Sequence, residues 1–229
     1  MAMTVPEMIE FEEGRIERCQ NLMAKAKMSG DSAQIHRSTS AITGCHFSIG
    51  LLFWRLKKDP RDHFTKSVLL AQETSSLLAS MKEVYVGKAL FNPDETVYLA
   101  YLVGLPHPPV ELKMEDENVM TDSFFGNVLI GAADIADWPK YRDALPQGKR
   151  YDLARRTNEL YADLLAGRIT PEAGVPLAEE LWAERENHTY YATGTSGFGD
   201  GNEIYVDYVL GAILKKIGSK VPTVHAWVW

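Results

Sequence analysis

The sequence predicts an all-α fold, an irregular multi-helix bundle or a short helical-hairpin superhelix of about nine helices in 229 residues. Three observations predict it. Apolar residues recur at steps of three and four along most of the chain, the period that places one stripe on one helix face. Breaker pairs such as Asp59-Pro60, Asn92-Pro93 and Thr170-Pro171 interrupt those stripes. Helix starts then recur about every 20–30 residues, as in antiparallel helices joined by short loops. No pair of segments alternates apolar and polar residues as two strands would, and no internal repeat supports a regular array.

The first clear stripe runs from Ile35 through Ile42, Cys45, Ile49, Leu52, Phe53 and Leu56, with Asp59-Pro60 ending one helix and starting the next. Gly44 and Gly50 fall inside it, each costing roughly 1 kcal/mol against alanine, and glycine there would let a neighbouring backbone come close. Phe64, Val68, Ala71, Ser75 and Leu78 mark the next helix. Tyr85, Ala89 and Leu90 suggest a shorter one, and Asp94 would cap another that holds Val97 and Tyr101. Gly104 to Pro109 reads as a rigid extended link.

Ser123 would cap a helix through Phe124, Val128, Leu129, Ala132 and Ile135, ended by Trp138-Pro139. Leu153, Leu160, Tyr161 and Leu164 mark a helix closed by Gly167. Thr170-Pro171-Glu172 starts one with Val175, Ala178, Leu181 and Trp182. After a glycine-rich turn, Gly194 to Gly201, the last helix is expected from about Asn202 to Gly218. The apolar tail Val221 to Trp229 is expected to run extended against the body, and its Trp227 and Trp229 could bury in a homo-oligomer interface. The two sides of the link are alike in composition, so a single helical domain over 1–229 is expected, with a soft boundary near 104–109.

Composition narrows the function class. Lysine and arginine number 24 against 31 acids, a net charge of −7, and 45% of residues are hydrophobic, too many for a disordered chain. A pI near 5.4 argues against coating nucleic acid by bulk charge. The basic runs at Arg55 to Arg61 and Lys149 to Arg156 lack the interleaved aromatics of RNA platforms. No basic residue precedes Arg15, so no secretory signal is read and a cytoplasmic location is expected. The uncharged run between Arg37 and Arg55 is too polar and slightly short for a membrane span and reads as a buried helix. Cys19 and Cys45 read as buried free thiols of a reducing compartment.

None of the chemical constellations is complete. The glycines before Asn202 lack a preceding strand and a phosphate-binding lysine, and Asp200 and Glu203 would repel phosphate. Glu180, Glu184 and His188 share a helix face but not the three-residue glutamate–histidine spacing of bundle metal sites. Asp200, Glu203 and Asp207 would need a facing acidic helix to hold magnesium, which Glu12, Glu13 and Glu17 could supply. Cys45 and His46 are neighbours that point about 100° apart on a helix. No catalytic residue, metal ligand or cofactor is therefore assigned.

Surface features remain. Glu115, Asp116, Glu117 and Asp122 make an acidic stretch suited to a basic partner, and Phe198, Asp200 and Tyr205 lie in or beside the glycine-rich turn as contact candidates. The segment Asp200-Gly-Asn-Glu-Ile-Tyr-Val-Asp-Tyr-Val-Leu-Gly-Ala-Ile-Leu214 resembles bacterial polymorphic-toxin immunity proteins of the all-helical immunity-protein-49-like class. That resemblance implies tight binding of a cognate toxin and blockade of its active site, and it transfers no defined functional residue. The expected function is thus a non-catalytic binding protein, an immunity- or antitoxin-like inhibitor. The alternatives are a metal-dependent hydrolase with helix-borne carboxylates and an oligomeric, structural or phage-derived assembly protein.

Overall fold

The computed structural model describes residues 3–80, 93–110, 120–144, 149–186 and 207–223. Among these it has nine α-helices, a one-turn 3-10 helix and no strand, so the all-α class is the observed one. The chain divides into two compact units, Met1–Val103 and Gly104–Trp229. The division falls at the first residue of the proline-rich link.

Unit 1 holds α1 (Val5–Ser29), α2 (Ser32–Arg55), α3 (Arg61–Ser80) and α4 (Pro93–Val103), each packed on the next in sequence. The sequence marks helix α1 by no apolar stripe, only as the acidic helix that Glu12, Glu13 and Glu17 could supply. Its start is a capping box in which Thr4 accepts from the Glu7 amide and the Glu7 carboxylate accepts from the Thr4 amide at 2.6 Å. Gly30, at φ 72°, closes it in the left-handed conformation that glycine adopts without penalty. Asp31 then caps α2 through the Gln34 amide at 2.9 Å.

Helix α2 is buried on most of its circumference, because α1 packs on one side and α3 on another. Two of its buried hydroxyls bond back to the helix's own carbonyls, while that of Ser40 has no partner among the described residues. Thr39 donates to the Ile35 carbonyl and Thr43 to the Thr39 carbonyl, both at 2.9 Å. Ser67 of α3 donates to the Thr43 carbonyl at 3.1 Å. Among the described residues no helix is long and apolar enough to cross a membrane. A Cβ on Gly50 would stand 2.4 Å from Cε1 of Phe64, so this glycine admits an aromatic ring rather than a backbone. Gly44 has open space at that position, so no close approach explains it.

Helix α2 stops before Asp59-Pro60. Lys57 takes φ 58°, and the amides of Lys57 and Lys58 turn back to the carbonyls of Trp54 and Phe53. On α3 the buried face follows Phe64, Ser67, Val68 and Thr74, while the expected Ser75 is exposed. The expected helix around Tyr85 to Leu90 lies outside the described residues. Helix α4 begins at Pro93, so Asp94 sits inside its first turn and not at its cap.

Unit 2 holds α5 (Met120–Leu129), the 3-10 turn (Ile135–Asp137), α6 (Trp138–Ala144), α7 (Lys149–Leu165), α8 (Pro171–Glu186) and α9 (Tyr208–Lys216). Three sequence expectations change here. Ser123 lies inside α5, which starts at Met120 and stops at Leu129, where Gly131 at φ 78° turns the chain. Trp138-Pro139 begins a helix instead of ending one, since a first-turn proline lacks only an amide that would be unpaired anyway. The last helix has its N-cap at Asp207, whose carboxylate accepts from the Leu210 amide at 2.8 Å. The segment from Asn202 to Val206 lies outside the described residues, as do Trp227 and Trp229.

Side chains fasten these pieces. Asn127 exchanges two hydrogen bonds of 2.8 Å with the backbone of Val110, fixing the end of the proline-rich link on α5. Lys216 of α9 donates to the Leu129 carbonyl at 3.1 Å, satisfying an end carbonyl of α5. Phe124, Phe125, Trp138 and Tyr161 pack ring on ring as the unit's aromatic core.

Candidate functional site

Most contact residues expected from the sequence fall outside the described set: Glu115, Asp116, Glu117, Phe198, Asp200 and Tyr205. Asp122 falls in the first turn of α5. Of the Glu180–Glu184–His188 and Asp200–Glu203–Asp207 sets, Glu180, Glu184 and Asp207 are described; Glu180 is exposed on α8, and the other two are engaged. Glu184 takes a two-oxygen bond from Arg156, at 3.0 and 2.9 Å. Asp207 is buried, capping α9 with one oxygen and accepting the Tyr161 hydroxyl with the other. Among the described residues no three His, Cys, Asp or Glu side chains converge as metal ligands.

The chemistry of unit 1 concentrates where α1 and α3 flank α2. Glu12 sits on the inner face of α1 with 1% of its surface exposed, and Arg15 one turn later holds both carboxylate oxygens at 3.0 Å. This explains why a carboxylate can lie in the stripe that packs on α2. The Cys45 thiol is buried beside it. Burial first, and then the hydrogen bond to Glu12, pushes that thiol well above the usual cysteine range. Cys45 is therefore a packed thiol and not a nucleophile. Cys19, expected to be buried, is only half-buried.

His46 turns away from its neighbour Cys45 and meets a partner from another helix. Its Nδ1 lies 3.1 Å from Nδ1 of His63 on α3. Phe53, two turns after His46 on α2, packs its ring edge-on to His63 with centroids 4.9 Å apart. Burial, and then the His63 imidazole, hold His46 down to about 4. Burial lowers His63 as well. Both rings are thus neutral near pH 7, with one Nδ1 donating and the other accepting. Asp62 and Lys66, paired at 2.7 Å on α3, and Glu13 of α1 are the charged groups acting on the pair.

Comparison with protein families, curated proteins and solved structures finds no match.

The outer face of α1 is the described surface that fits the expected partner chemistry. Glu10, Glu13 and Glu17 are exposed at steps of three and four, and none is held in an ion pair among the described residues. Phe11 stands beside them with 45% of its surface exposed. Arg15 lies over the Phe11 ring at 6.0 Å and is engaged by Glu12. The sequence shows the acids, but their common outward face requires α1 to be helical and Glu12 to point inward.

Proposed function

We propose that this chain is a non-catalytic binding protein of the cytoplasm, an immunity- or antitoxin-like inhibitor that engages a basic cognate protein. The exposed row Glu10, Glu13 and Glu17 with Phe11 beside it is the observation that carries this reading. Carboxylates on one face steer a basic partner and select it over acidic ones, and an aromatic ring among them supplies apolar contact. Glu115, Asp116, Glu117 and Asp122 are offered as a separate acidic contact, and Phe198, Asp200 and Tyr205 as another.

Copurification tests the reading. The tagged chain is co-expressed with the product of the neighbouring gene at low salt and then washed at rising salt. A stoichiometric complex that dissociates as salt rises, and that Glu10→Lys/Glu13→Lys/Glu17→Lys abolishes, is expected. No complex, or one indifferent to both salt and these changes, contradicts it.

A further inference from the structure

We propose that His46 and His63 form a two-imidazole site for a divalent transition-metal ion of borderline softness, such as zinc, nickel or copper, that ties α2 to α3. The two Nδ1 atoms come from different helices and lie 3.1 Å apart, facing each other. With metal–nitrogen bonds of 2.0–2.1 Å, that separation subtends an angle of roughly 100° at a shared ion, near what tetrahedral and tetragonal sites require, once each ring turns its Nδ1 lone pair about 40° off the line between them. Imidazole is the ligand these ions favour over calcium or magnesium.

Neither ring needs to be deprotonated to a charged form to ligate. In the free pair, one Nδ1 carries the bridging proton. When an ion takes its place, that proton leaves Nδ1 and the same ring takes one up at Nε2, so both rings stay neutral. Asp62 and Glu13 act on the pair with negative charge, and Lys66, bonded to Asp62, with positive charge. Burial disfavours a second proton on either ring, so the imidazoles stand neutral, the form that ligates a metal. Phe53 backs His63 and fixes its ring plane. Water or a group from a partner would complete the coordination, since no third ligand converges among the described residues.

Titration of the full chain with nickel, zinc and copper(II) tests the site. One equivalent of ion is expected to bind and to raise the melting temperature. His46→Gln and His63→Gln should each weaken it by at least about tenfold, because a chelating pair becomes a single ligand. Retention of wild-type affinity in both variants overturns the proposal. A measurement on the unmodified chain guards against misfolded variants. Saturating metal should protect His46 and His63 from diethyl pyrocarbonate while His107 still reacts. Equal labelling of His46 and His63 with and without metal overturns the site independently.

Discussion

The ring of Phe64 occupies the space that a side chain on Gly50 would need, 2.4 Å from the position of its Cβ. Phe64 is fully buried and also meets Trp54 edge-on at 5.6 Å between centroids, so it has nowhere to retreat. Gly50→Ala is expected to destabilise unit 1 by about 1–3 kcal/mol, even though alanine is the better helix former. Urea unfolding checks this, and Gly50→Ala/Phe64→Leu should recover part of the loss. A stabilised Gly50→Ala variant contradicts the packing described.

Tyr161 and Asp207 join α7 to the start of α9 inside unit 2. Tyr161→Phe keeps the ring but takes away one donor from a buried carboxylate, with an expected cost of about 1–3 kcal/mol. Amide exchange should show the loss first in α9, whose N-cap depends on the same side chain. Unchanged protection of Leu210 to Leu214 contradicts the anchor.

Arg15 neutralises Glu12 in the α1–α2 packing. Arg15→Met leaves the carboxylate buried beside Cys45 and should cost about 1–3 kcal/mol. Glu12→Gln in the same chain should reduce that cost, a coupling that a double-mutant cycle reads directly.

The α2 stripe is visible in the sequence because Ile42, Cys45, Ile49 and Leu52 repeat at helical spacing, and burial confirms it. Helix α1 is hidden because its inner stripe contains Glu12 while Phe11 and Leu22 lie outside. A pattern of apolar residues alone cannot assign a paired carboxylate to the inside. Trp138-Pro139 reads equally as a stop or a first turn until the backbone decides. The histidine pair is invisible for a different reason. His46 and His63 are 17 residues apart on separate helices, so only the antiparallel pairing of α2 and α3 brings them together.

The two thiols should differ in reactivity. Cys19 is half-buried, whereas Cys45 is buried with its thiol held protonated by burial and Glu12. Iodoacetamide on the folded chain at pH 8 should modify Cys19 well before Cys45, and denaturant should equalise them. Mass spectrometry of the peptides checks the order, and faster labelling of Cys45 contradicts the described environment.

Growth rescue in cells expressing the neighbouring gene product tests the proposed recognition of a basic protein through the acidic face of α1. The wild-type chain should restore growth. The chain with Glu10→Lys, Glu13→Lys and Glu17→Lys should be made and folded equally well yet fail to restore it. A neighbouring product that is not toxic, or full rescue by the charge-reversed chain, would contradict the account.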